Sequence, residues 1–297
     1  MKTMIAIRNP KAGGMGNRDS VAKISHYLDF RDVALCVMDT EHAGHATQIA
    51  EEFYNSGHRE FLCMGGDGTL FEMINGFFKN KPHSDDIRLA VIPTGTGNSF
   101  LKDFSTSVNH TMESIIQDRT QPSDIIEVKH ADGTLYFINI FSFGFTSQVG
   151  MLRNKYFSYV GHAGYILAVM FKLFNLRPET YRFKLDQQTQ TNTSSVFISI
   201  NNTRFTGGNM MMAPAALPGD GLVDVINAKN MGAMKLLQAF PKIFKGTHVQ
   251  LPEVESSKAQ SIEFDFDSAI PVMIDGELLT IQPQSMRVIP KAIQIYA

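Results

Sequence analysis

Three glycine-rich turns and one carboxylate pair carry the chemistry that can be read from this sequence. The turns are Asn9-Pro10-Lys11-Ala12-Gly13-Gly14, Gly65-Gly66-Asp67-Gly68-Thr69 and Pro93-Thr94-Gly95-Thr96-Gly97-Asn98. Glycine lets backbone N–H groups approach a phosphate closely, and a helix that starts after such a turn aims the positive end of its dipole at the same place. One such turn could be only a tight strand-to-helix connection; three together point to phosphate binding. The carboxylates lie in Asp275-Gly276-Glu277, between the strand-like runs Val272–Ile274 and Leu278–Ile281, where an Asp-Gly hairpin is the simplest reading. Carboxylates beside a bound phosphate can hold its counter-cation or accept a proton.

The turns need strands to carry them. Strand-like runs at Met4–Ile7, Val33–Met38, Phe61–Met64 and Leu89–Ile92 alternate with helical patterns. Ala46, Ile49, Ala50 and Phe53 recur at i, i+3, i+4 and i+7, as do Leu70, Met73, Ile74 and Phe77. Thr69 and Glu72 fit the first and fourth positions of a capping box, with Thr69 as the N-cap. This pattern predicts an α/β unit with a doubly wound, mainly parallel sheet, whose ligands bind at the carboxyl ends of the strands, where the three turns fall.

From Ser123 the texture changes to Ile125–Val128, Tyr136–Ile140, Val196–Ile200, Leu222–Ile226, Ile262–Phe266 and Val272–Ile274, interrupted by helical patterns near Gly161–Asn175 and Met234–Phe244. We expect a nucleotide-binding α/β domain over 1–122, with Pro122-Ser123 as the boundary, and a β-sandwich-like domain over 123–285. Residues 286–297 are free to rejoin the first domain. Ligand would sit in the cleft between the two.

Composition bounds the function. The 297 residues carry a formal net charge of −2 and no long basic run, which argues against general nucleic-acid binding. Gly164 to Phe174 is interrupted by Lys172 and is too short to span a bilayer. The N-terminus reaches Arg8 too soon for a signal peptide, and Cys36 and Cys63 read as buried thiols, so a soluble protein of the reducing cytoplasm is expected. No G-x-x-x-x-G-K-[ST] motif occurs, and Phe100 stands where a dinucleotide fingerprint starting at Gly95 needs its third glycine. His42 and His45 have metal-ligand spacing but no third ligand. Met210-Met211-Met212 and Tyr165 to Phe171 could line an acyl-chain pocket, though plain core is the commoner reading.

The sequence resembles the diacylglycerol kinase catalytic-domain family, especially its soluble bacterial lipid kinases. The resemblance runs through Asn9-Pro10, Thr40 with Gly44-His45-Ala46, Gly65 to Thr69 with Glu72 and Asn75-Gly76, and Pro93 with Gly95 to Asn98. It continues through Phe143-Gly144-Phe145, Asn201-Asn202, Gly207 to Met210, Ala213-Pro214-Ala215, Asp220-Gly221-Leu222, Lys245 to His248 and Asp275-Gly276-Glu277. It implies ATP held by Asn9, Pro10, Lys11, Ala12, Gly13, Thr40, Gly65, Gly66, Asp67, Gly68, Thr69, Leu70, Phe71 and Thr96. It also implies Mg²⁺ at Leu217, Asp220 and Leu222, and catalysis by Glu277 as base, with Asp275 second and Asp67 orienting Mg²⁺–ATP. The acceptor would be a lipid hydroxyl reached at the membrane surface, by an enzyme that is transiently membrane-associated; a homodimer stays open.

Two positions depart from the family: Ala12 where a hydroxyl residue is usual, and Phe71 where asparagine is frequent. The alternatives are a nicotinamide-dinucleotide kinase-like enzyme, which shares the Gly-Gly-Asp-Gly-Thr segment, and a non-catalytic lipid-binding regulator of the same fold.

Overall fold

The computed structural model describes residues 2–12, 18–79, 86–93, 98–104, 107–152, 155–156, 161–174, 176–188 and 191–297. Gly13 and Thr96 lie outside them.

The chain opens with β1 (Lys2–Arg8), α1 (Arg18–Asp29), β2 (Val33–Asp39), α2 (His45–Asn55), β3 (Glu60–Gly65), α3 (Asp67–Phe78), β4 (Arg88–Pro93) and α4 (Val108–Ile116). β5 (Thr120–His130), β6 (Gly133–Phe137), β7 (Ile140–Gly144), α5 (Phe145–Leu152), α6 (Gly161–Phe174), β8 (Glu179–Leu185) and β9 (Thr191–Asn201) follow. Next come the short β10 (Phe205–Thr206) and β11 (Met210–Met211), then β12 (Val223–Lys229) and α7 (Ala233–Ile243). β13 (Val254–Ala259), β14 (Ser261–Phe264), β15 (Ile270–Ile274), β16 (Glu277–Ile281) and β17 (Pro283–Tyr296) complete the chain.

The four predicted strands of the first region are present, in the parallel order β2-β1-β3-β4, and β17 adds a fifth strand when Gln294 and Ile295 pair with Arg88 and Leu89. Because side chains alternate across a strand, Ile5, Ile7, Phe61, Cys63, Leu89 and Val91 meet α2 and α3 on one face. Met4, Ala6, Leu62, Met64, Ala90 and Ile92 meet α1 and α4 on the other. Apolar runs without polar alternation follow from cover on both faces. Leu70, Met73, Ile74 and Phe77 are all buried, each contributing about 1.5–3 kcal/mol of transfer free energy.

The second region is antiparallel, in the order β16-β15-β7-β9-β8-β14-β17, with β12 also on β9 and β5 also on β17. An aromatic-rich core containing Phe141, Phe143, Tyr181, Phe183 and Ile274 fills it. β17 belongs to both regions, pairing with β14 through Met286 and with β4 through Ile295. The change of direction is a bulge at Lys291, whose φ is 51° and whose N–H donates to Asp124 Oδ1 at 2.7 Å.

Several expectations are corrected. Thr69 is not the N-cap of α3; the helix starts at Asp67 behind Gly66, and the Glu72 carboxylate caps α2 instead, accepting from Gly44 N–H at 2.8 Å and Ala46 N–H at 3.1 Å. The run Tyr136–Ile140 is split between β6 and β7, because the peptides of Ile138 and Asn139 donate to the Asp275 carboxylate rather than to a strand. Pro122 and Ser123 lie inside β5, paired with Gln294 and Ile293. Cys36 is exposed, since β2 is an edge strand; Cys63 is buried in β3, and burial pushes its thiol up to about 12. On α6, Ala168 and Leu173 are buried but Leu167, Met170, Phe171 and Phe174 are exposed, so this helix is not plain core. Among the described residues no helix is long and apolar enough to cross a membrane.

Candidate active site

The turns after β1, β2 and β3 open into one cleft of about 440 Å³, lined by Asn9, Lys11, Ala12, Thr40, Gly66, Gly68, Thr69 and, from the second region, Glu277. The first turn is held by its own asparagine: Asn9 Oδ1 accepts from Lys11 N–H at 3.0 Å, and Asn9 Nδ2 donates to Thr69 Oγ1 at 3.4 Å. Its neighbour is fixed through Thr40 N–H, which donates to the Arg8 carbonyl at 2.8 Å.

The two helices that begin at this cleft differ at their N-termini. Glu72 takes first-turn donors of α2, as described above. The N-cap of α3, Gly66, has no side chain to cap with, and among the described residues no side-chain bond to the leading N–H groups takes its place. Uncapped donors and a helix dipole together favour an anion. Gly65 must lack a Cβ, which would stand 2.4 Å from Thr69 Cβ.

Three carboxylates lie near this N-terminus in different environments. Glu277, the first residue of β16, opens to the cleft with its Oε1 atom beside Gly68. The cleft walls displace part of its water and Glu72 adds negative charge, and both raise its pKa above the ordinary glutamate value. Asp67 is half-buried, and desolvation raises its pKa against N–H donation from Ser99 and Asn98.

Asp275 points away from the cleft. It forms a hairpin turn with Gly276, φ 47° and 93°, as the Asp-Gly dipeptide predicts for a type I′ turn. Its side chain is 3% exposed and accepts from Ile138, Asn139 and Ile140 N–H at 2.9, 2.9 and 2.8 Å. Desolvation still pushes its carboxyl up to about 7. Asn202 Nδ2 donates to the Ile138 carbonyl at 2.7 Å, so the segment that meets Asp275 is fixed from a second side.

Other predicted site residues lie elsewhere. Pro10 does not line the cleft; Leu70 is buried in the first core, and Phe71 packs against the aromatic core of the second region. Leu217, Asp220 and Leu222 are also outside the cleft. Asp220 Oδ1 accepts from Leu222 N–H at 3.0 Å, Leu217 C=O accepts from Asp220 N–H at 3.3 Å, and Lys258 Nζ lies 3.0 Å from Asp220 Oδ2 and 3.4 Å from Asp224 Oδ2. With its two carboxylate oxygens engaged and an ammonium alongside, Asp220 as arranged does not fit a resident Mg²⁺. Among the described residues no group of three or more His, Cys, Asp or Glu is arranged to hold a metal ion.

The cleft also contains Glu41, His42, Ala43, Ala46 and Glu72, which sequence reading did not assign to it. The Gly44-His45-Ala46 segment beside them was the available signal. His42 and His45 stack with ring centroids 4.9 Å apart, and His45 Nδ1 accepts from Glu41 N–H at 3.1 Å, so His45 secures the turn.

Comparison with known proteins finds two family models, one on each part of the chain. The family model for the diacylglycerol kinase catalytic domain matches residues 3–128, and that for the YegS C-terminal NAD kinase beta sandwich-like domain matches 139–297. A diacylglycerol kinase of Mycobacterium tuberculosis is 26% identical over 98% of this chain and 93% of its own. Sphingosine kinase 2 of Arabidopsis thaliana is 21% identical, over 99% of this chain and 73% of its own. A solved diacylglycerol kinase structure from Bacillus anthracis superposes with a TM-score of 0.72 at 20% identity, covering 99% of this chain and 96% of that one, a likeness of fold.

Proposed function

The chain belongs to the diacylglycerol kinase family of lipid kinases, and on that premise we propose that it transfers the γ-phosphate of ATP to a lipid hydroxyl, such as that of diacylglycerol or a sphingoid-type lipid. The observation that carries this reading is the Glu277 carboxylate standing over Gly68 at the uncapped N-terminus of α3. It brings a proton acceptor beside a phosphate-binding turn, which phosphoryl transfer to an alcohol requires.

In this reading the N–H groups at the start of α3 and the turn after β1 take the ATP phosphates. Ala12 offers no hydroxyl, but it lines the cleft. Mg²⁺ enters with ATP as part of the substrate, and Asp67 is placed to orient that complex. Glu277 accepts the proton of the lipid hydroxyl as its oxygen attacks the γ-phosphorus and the bond to the β–γ bridging oxygen breaks. A carboxylate whose pKa is raised is the stronger base for this step. Asp275, turned inward, holds the hairpin that presents Glu277 and serves as a positioning residue. No step involves an ion at Asp220.

The enzyme would work at the cytoplasmic membrane surface, where such an acceptor resides. The test is incubation with radiolabelled ATP, Mg²⁺ and a total lipid extract, followed by identification of the labelled product. A labelled lipid that disappears with Glu277→Gln is expected; labelling unchanged in that variant would refute the assignment.

A further inference from the structure

Among the described residues, α7 makes its apolar contacts with the rest of the chain on one side. Ala239 is buried and Leu236 and Ile243 are half-buried against a small core that includes Phe197 and Met231. At 3.6 residues per turn a second side carries Met234, Leu237, Phe240 and, just past the last turn, Phe244. These four large apolar residues are 68%, 47%, 50% and 46% exposed. The Phe240 and Phe244 rings pack edge to face at 5.7 Å, which stiffens the stripe without covering it.

The third side is basic: Lys235, Gln238, Lys242 and Lys245 flank the stripe, and residues 232–247 contain no Asp or Glu. Lys235 is ion-paired with Glu253, while Lys242 and Lys245 have no ion-pair partner among the described residues. A net charge of −2 for the whole chain makes this local excess distinctive.

An anchored side, an apolar stripe and a lysine edge are the three parts of a helix that lies in a bilayer surface. We propose that α7 is a docking helix that beds Met234, Leu237, Phe240 and Phe244 into a membrane rich in anionic lipid, with Lys242 and Lys245 at the headgroup level. Charge decides between occupants. A second copy docking by the same stripe would set lysine against lysine, whereas anionic headgroups complement both. The link to catalysis rests on the lipid-kinase reading above; the docking itself does not.

The experiment is co-sedimentation of the full chain with vesicles of phosphatidylcholine, with and without phosphatidylglycerol. Binding to the anionic vesicles is expected. Phe240→Ser/Phe244→Ser should lower the partition constant at least about 10-fold, and Lys242→Gln/Lys245→Gln about 30-fold at low salt. Both variants should keep the wild-type circular dichroism spectrum and the wild-type rate on a short-chain, water-soluble acceptor. Absence of wild-type binding, or undiminished binding by the phenylalanine variant, overturns the proposal. So does sedimentation equilibrium that shows a wild-type dimer which the phenylalanine variant dissociates. Vesicle binding through α7 without phosphorylation of any lipid would support the docking face and defeat the kinase reading; the reverse result would do the opposite.

Discussion

Glu277 Oε1 stands 2.5 Å from where a Cβ on Gly68 would lie, so the first residue of a hairpin strand in one region closes on the first turn of a helix in the other. Among the described residues no backbone atom outside the helix itself is in the way. Gly68→Ala should therefore fold normally and displace only the carboxylate. A misplaced base loses rate rather than stability, so kcat should fall about 10- to 100-fold while the thermal midpoint stays near wild type. Steady-state kinetics beside a melting curve checks both halves.

As the proposed base Glu277 would act only when ionised, and its pKa lies above the ordinary glutamate value through desolvation first and the Glu72 charge second. The acidic limb of kcat/KM against pH should lie correspondingly high, with activity rising as pH increases through it. Glu72→Gln removes the second contribution and should move that limb to lower pH. A limb at the ordinary carboxylate position in wild type would remove Glu277 from the role.

Asp275 predicts a stability effect with a defined sign. Its carboxyl is pushed up to about 7, so the folded state holds that proton more tightly than the unfolded chain does. The associated stabilisation is complete below the unfolded aspartate value and is lost as pH rises towards about 7. Asp275→Asn should flatten that dependence. It should also cost about 1–3 kcal/mol, because an amide NH₂ cannot accept from Ile138, Asn139 and Ile140 as two oxygens do. Urea unfolding across pH measures both.

Gly76 is where α3 crosses α2. A Cβ there would stand 2.4 Å from the Thr47 carbonyl oxygen and 2.8 Å from Ala50 Cβ. Alanine is the better helix former by about 1 kcal/mol, yet the clash is with backbone, and overpacking of this kind costs about 1–3 kcal/mol. Gly76→Ala should lower the denaturation midpoint.

Phe71 faces the aromatic core of the second region, not the cleft. Phe71→Asn, which restores the residue frequent in the family, should reduce stability and leave KM for ATP within about three-fold of wild type, below the change a lost hydrogen bond brings.

The sequence by itself determined the parallel order of elements at the start, the β-rich remainder and the Asp-Gly hairpin. Those features rest on local rules: apolar runs covered on both faces, i, i+3, i+4, i+7 spacing in α2 and α3, and the positive φ that Asp275-Gly276 can adopt. α1 was missed although Val21, Ile24 and Leu28 have helical spacing and are buried.

What only the tertiary structure decided is where each carboxylate lies. Thr69 and Glu72 satisfy a capping box on paper, but Glu72 finds the N–H groups of a neighbouring helix 26 and 28 residues away in sequence. Asp275 and Glu277 are two residues apart, and sequence leaves open which one faces the cleft. Three buried N–H groups, left unpaired where β6 gives way to β7, draw Asp275 inward and leave Glu277 to the cleft. An unmet buried donor costs more than a local preference supplies, and donors distant in sequence cannot be read from the residues beside them.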